Sequence, residues 1–139
     1  MNLELDRERI ALGIRQPWAE LILQGRKTIE VRSRPTNVRG PIYIYTSQKI
    51  SRDPLARESI ERFGLDPSKL VYGRIIGEVT IADCRRSDSD DSDASCIPTS
   101  ALQNHFAWEL TNPVRFEEPQ LPKFLPYGVW FYPFRRKTT

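Results

Sequence analysis

Ile14-Arg15-Gln16-Pro17-Trp18, followed by Gly25-Arg26-Lys27-Thr28-Ile29-Glu30-Val31-Arg32, sets the pattern of the whole chain. Proline suits the first helical position, so Pro17 opens a short helix with Trp18, Leu21 and Ile22 on one face. Glycine tolerates the left-handed conformation that ends helices, so Gly25 closes it. Residues 28–32 then predict a strand. Side chains alternate across a strand, which puts Ile29 and Val31 on one face and Thr28, Glu30 and Arg32 on the other. A hydroxyl, a carboxylate and a guanidinium in one row form a hydrogen-bonding stripe. Glu30 and Arg32 are spaced to pair inside a common cleft, which would keep both ionised when enclosed. Lys27, at the start of the strand, has a flexible stem that reaches the same space.

Outward from this stretch the chain reads as many short strands with two helices. Ile10, Leu12 and Ile14 alternate as a strand over residues 9–14, and Ile and Tyr alternate over residues 42–46. Asp53-Pro54 starts a second helix that ends at Gly64. Residues 70–84 predict a long strand, bent at Gly73 and Gly77. After a turn or short helix near residues 98–103, residues 106–110 and 129–134 form the last strands. The fold class is therefore mainly β with short helices, and a closed or nearly closed β-barrel would remove its exposed sheet edges.

The 139 residues fit a single domain with a core over about residues 9–134, large enough to fold without staples. No apolar run approaches the ~20 residues of a spanning helix, and Met1-Asn2-Leu3-Glu4-Leu5-Asp6 lacks the layout of a secretory signal. With Cys84 and Cys96 read as reduced thiols, the expected location is cytoplasmic, with no membrane association. The net charge is +3, unevenly spread: residues 9–39 hold seven basic and two acidic side chains. Residues 87–95 hold four aspartates among serines and read as a mobile, solvated loop, without the glycine and glutamate of a calcium loop. The basic tail, residues 135–139, is expected to fray. His105 is the one histidine and is read as structural, and with the two cysteines it makes no zinc pattern, so neither metal nor cofactor is expected.

Gly25, Lys27, Glu30 and Arg32 meet the pattern Gly-x-Lys-x-x-Glu-x-Arg. Ala107-Trp108-Glu109-Leu110-Thr111-Asn112-Pro113 and Gly128-Val129-Trp130 follow in order at suitable spacing. Together these resemble the ASCH domain, the homology domain of the activating signal cointegrator, over roughly residues 10–132. The resemblance implies a PUA-like β-barrel. It also implies a nucleic-acid-binding module, RNA by the usual company of such domains, or one that takes a nucleoside or nucleotide.

On that reading Lys27 and Arg32 contact phosphate or a base edge, and Glu30 fixes Arg32 and accepts from a base amino group. Arg15, Arg26 and Arg34 form a salt-sensitive basic rim. Thr28 lies on the same stripe. Trp18 and one of Tyr43 or Tyr45, Tyr43 by preference, are the aromatics expected to face a base, whereas Trp108 and Trp130 are core. Some small family members are amidohydrolases acting on acetylated cytidine nucleosides. These use a lysine at the position of Lys27, a threonine three residues on and a late glutamate. Here Glu30 stands where that threonine would be, and Glu109 is the candidate late glutamate. A catalytic version would thus use Lys27, Glu30 and Glu109. A protein-interaction module in transcription or RNA metabolism is the further alternative, with a protein partner.

Overall fold

Leu12 and Ile14 turn to one side of β1 (Ala11–Ile14) and Ala11 to the other, while β3 (Gly40–Thr46) alternates Ile42 and Ile44 with Tyr43 and Tyr45. Both faces of this parallel pair are buried, as parallel strands require. The computed structural model describes residues 4–135, and the order of elements around this pair follows from it. Helix α1 (Trp18–Leu23) leads to β2 (Ile29–Arg32), and α2 (Pro54–Arg62) lies between β3 and β4 (Ile75–Arg86). A three-residue 3-10 turn, Ser89–Asp91, runs into the short helix α3 (Ser92–Ser95), and β5 (Phe106–Gln120) and β6 (Trp130–Phe131) complete the chain.

The six strands form one sheet in the order β2-β5-β4-β3-β1-β6. Only the β1–β3 pairing is parallel, and no ladder joins β2 to β6, so the sheet is not closed by backbone hydrogen bonds among the described residues. Side chains cross that gap instead. Trp108 of β5 stacks on Trp130 of β6 with ring centres 5.8 Å apart. Arg32 of β2 donates to the carbonyl of Gly13 in β1 at 3.2 Å.

Two apolar clusters hold the sheet. The larger joins Leu12, Ile14, Ile22, Ile42, Val79 and Trp108, and the smaller gathers Tyr43, Tyr45, Ile75, Phe116 and Phe131 on the opposite face. Gly77 is the tight point between them. A Cβ there would stand 2.3 Å from the carbonyl oxygen of Val114 and 2.9 Å from Leu23, so only glycine lets β5 and α1 close over β4.

Several sequence expectations shift. The long strand begins at Ile75, after Gly73 turns the chain at φ 68°, and it runs to Arg86. The last large strand extends ten residues past Leu110, to Gln120. Asn112-Pro113 looks like a turn in sequence, but Asn112 at φ 52° sits in a bulge: Thr80 faces Thr111 and Glu78 faces Val114, with one more residue on β5 than on β4. Residues 87–95, read from sequence as a loop, are folded into helical turns. Asp88 caps them in a reciprocal capping box with Asp91, and Arg85 grips Asp91 with two hydrogen bonds of 2.8 and 2.9 Å. Trp130 is half-buried rather than fully core. Of the signal and tail expectations, residues 1–3 and 136–139 lie outside the described residues.

Candidate functional site

The turn after α1 places the first site residue. Gly25, at φ 78°, bends the chain so that the amides of Arg26 and Lys27 both donate to the carbonyl of Leu21 at 3.0 Å. The amide of Thr28 then donates to Ala94 at 2.8 Å, which docks α3 against the start of β2. Lys27 is carried inward by these bonds and is 3% exposed. Its ammonium donates to the carbonyl of Ser95 at 2.6 Å, lies 3.6 Å from Glu30 Oε1 and rests 5.2 Å from the centre of the Trp18 ring. Burial pushes the Lys27 pKa below its ordinary value, with the Glu30 carboxylate working against that shift.

Glu30 is also buried and holds both cations. Its Oε2 accepts from Arg32 Nε at 2.7 Å, and the Arg32 guanidinium lies 5.6 Å from the centre of the Trp108 ring. Lys27, Glu30 and Arg32 therefore line one cavity of about 720 Å³, with Trp18 and Arg15 at α1 and with Tyr45, Ser47 and Gly128 from neighbouring segments. That volume falls in the ~300–1,000 Å³ range of small-molecule clefts. Lysine, carboxylate and guanidinium in ion-pair contact give the wall both donors and an acceptor, the set a base edge or a ribose matches.

The other expected residues divide. Trp18 is half-buried and lines the cavity, as does Arg15. Thr28 does not: β2 begins only at Ile29, and the Thr28 side chain is exposed outside the cavity. Arg26 stacks over the Phe63 ring at 5.1 Å, and exposed Arg34 offers its backbone carbonyl to Trp108 Nε1 at 3.1 Å, so neither lines the cavity. Tyr43 is 1% exposed on the other side of the sheet, edge-on to Phe116 and Phe134, with its hydroxyl bonded to the backbone of Asp6. Tyr45, two residues on at the end of β3, is the tyrosine that reaches the cavity. Glu109 also lies elsewhere. It pairs with Arg85 at 2.8 Å, and it follows Trp108, the residue directly opposite Glu30, so its side chain points to the other face.

His105, read from the sequence as structural, is a cavity residue. Its Nδ1 lies 2.6 Å from the carbonyl oxygen of Gln103. A carbonyl only accepts, so Nδ1 is the donor in this contact. Nothing in the spacing signals this, because Asn104, at φ 60°, turns the chain just before His105. Cys84 and Cys96 are both free, and burial pushes the Cys96 thiol up while nearby Lys27 opposes the shift. Among the described residues no helix is long and apolar enough to cross a membrane.

The fold is shared with solved structures. The crystal structure of ASCH from Zymomonas mobilis superposes with a TM-score of 0.58 at 16% identity, covering 91% of this chain and 88% of that one. A tyrosine-to-phenylalanine variant of that protein matches with a TM-score of 0.57 at 14% identity, over 90% and 89% of the two chains. A serine-to-alanine variant matches at 0.57 and 16%, over 91% and 89%. No curated protein sequence matches the chain. The sequence model of the ASCH domain matches residues 12–120, which include the cavity residues from Gly13 through His105 and most of the sheet, and on that match the chain belongs to the ASCH domain family.

Proposed function

We propose that the cavity binds a nucleotide, free or within a nucleic acid, with RNA the first candidate. The observation that carries this reading is the convergence of Lys27, Glu30 and Arg32 on one cavity wall beside half-buried Trp18. The carboxylate and the guanidinium supply an acceptor and a planar donor for a base edge, and an indole offers a face for stacking. We also read the sheet as a PUA-like barrel whose seam, between β2 and β6, is held by the Arg32–Gly13 bond and the Trp108–Trp130 stack. The test is titration of a short single-stranded RNA and of nucleoside monophosphates against the wild type and Arg32→Lys. The reading expects saturable binding that Arg32→Lys weakens about tenfold, because an ammonium lacks the guanidinium fork. Absence of binding to every one of these ligands overturns it.

A second reading, an amidohydrolase on an acetylated nucleoside, draws support from the lowered pKa of Lys27, which favours the neutral amine that nucleophilic or base catalysis requires. Glu109 lies outside the cavity, so this chemistry would rest on Lys27 and Glu30 alone.

A further inference from the structure

Beside the inner cavity lies a shallower hollow of about 400 Å³, lined by Arg15, Ser47, Gln48, Lys49 and Leu125 among others. Arg15, Tyr45, Ser47 and Pro126 wall both spaces, so the two adjoin. Their electrostatics differ. In the inner cavity both Lys27 and Arg32 are committed to Glu30, and Lys27 spends a further proton on Ser95. A phosphate placed there would face the Glu30 carboxylate. The outer hollow is lined by two cations, Arg15 and Lys49, and by no acid. Both side chains are exposed, and among the described residues neither is engaged in an ion pair. Beside them Leu125 is 70% exposed, an apolar surface left open to solvent.

Uncompensated cations on a concave surface concentrate anions. An exposed apolar surface next to them suits a flat ring or a sugar. Anion and ring in alternation are what a single-stranded polynucleotide presents. Resting on the nucleotide reading of the inner cavity, we propose that the outer hollow is a second nucleotide subsite. Arg15 and Lys49 hold the backbone phosphates, and the ligand is a single strand spanning both hollows rather than a free mononucleotide. The base sits inward against Glu30 and Arg32. The phosphate leaving it meets Arg15, which borders both spaces, and the next residue of the strand lies over Leu125.

The experiment compares a nucleoside monophosphate, a dinucleotide and a tetranucleotide of one base on the full chain. The proteins are the wild type, Lys49→Glu and, as a charge-matched control on the exposed side of α2, Arg57→Glu. Expected is at least tenfold tighter binding of the tetranucleotide than of the monophosphate. Lys49→Glu should erase most of that gain and flatten the slope of log affinity against log salt by roughly 1 or more, since each single-strand phosphate contact contributes about 0.7. Arg57→Glu should leave the gain in place. Equal affinity for monophosphate and tetranucleotide, or a gain that Lys49→Glu and Arg57→Glu reduce alike, overturns the subsite while the inner cavity stands. Failure of all three ligands to bind overturns the nucleotide reading itself, and the subsite with it.

Discussion

Arg32 Nη2 donates to the carbonyl oxygen of Gly13 at 3.2 Å, and this bond ties β2, at one end of the sheet order, to β1. The same guanidinium holds Glu30 through Nε at 2.7 Å, so one side chain both orders the cavity wall and spans the open seam.

Arg32→Ala is therefore expected to destabilise the fold by about 1–3 kcal/mol, the usual worth of hydrogen bonds to a charged group. Arg32→Lys keeps a charge for Glu30 but cannot fork to Gly13, and it should recover only part of the loss. Urea unfolding of the three proteins measures this. Equal midpoints for wild type and Arg32→Ala would show that the seam does not depend on this bond.

Lys27 makes stability depend on alkaline pH. Its folded pKa lies below the ordinary 10.5, so between that lowered value and 10.5 the unfolded chain binds more protons at this position than the folded one. Stability from Lys27 thus rises with pH through that window, and below it the buried charge is a net cost. Lys27→Met removes the titration and leaves Glu30 paired with Arg32. The stability of the wild type relative to Lys27→Met should accordingly increase from neutral pH toward 10.5 in denaturant titrations. A difference that is flat or falling would contradict the buried, partly destabilised ammonium.

The paired stripe was legible because parity decides it: Glu30 and Arg32 are two apart on a strand whose intervening Val31 is apolar, and both line the cavity. Thr28 has the same parity but precedes the strand, where the chain is still turning out of Gly25. Tyr43 and Tyr45 also share parity. Which of them reaches a cavity depends on what covers the sheet, and Phe116 and Phe134 cover Tyr43 from parts of the chain more than seventy residues away. The face of Glu109 is set by its pairing with β2, and β5 alone carries no mark of that register. Open ladder ends at β2 and β6 are likewise a matter of pairing, invisible in any single strand.

The Arg85–Asp91 pair makes stability depend on acid pH. The hydrogen bonds from Arg85 hold the Asp91 carboxyl below its ordinary 3.8. A depressed carboxylate contributes stability that is complete above its unfolded pKa and is lost as pH falls through the folded one. Asp91→Asn is expected to cost about 1–2 kcal/mol near neutral pH, tempered by the partial exposure of Arg85, and the difference from wild type should shrink as pH drops below 3.8. Chemical denaturation at pH 7 and pH 3 reads both values, and a cost that persists unchanged in acid would rule out the ionic contribution.

Trp18 lines the cavity and Trp108 is 3% exposed, so their fluorescence should separate. With single-tryptophan variants, acrylamide should quench Trp18 more than Trp108, and bound RNA should shield Trp18 alone. Trp18→Ala should weaken RNA binding by about 1–3 kcal/mol if a base stacks on the indole, and Trp18→Phe by less. Equal quenching, or unchanged affinity in Trp18→Ala, would remove the indole from the ligand site.

Lys27 separates binding from catalysis. Its ammonium is committed to Ser95 and Glu30, so in the binding reading it shapes the wall without having to release a proton. Lys27→Met then loosens the wall, and RNA affinity should fall about tenfold or less while some binding survives, since Arg32 still holds Glu30. The hydrolase reading makes a different demand. There the amine must be neutral during the reaction, which its burial favours, and Lys27→Met leaves nothing to act as base or nucleophile. Acetate release from an acetylated cytidine, measured on wild type and Lys27→Met beside RNA binding by both, decides between them. Turnover by the wild type that Lys27→Met abolishes, with nucleoside binding retained, would establish the enzyme and displace the binding module. No turnover by the wild type, with RNA binding that Lys27→Met only weakens, leaves Lys27 as the charge that organises the cavity.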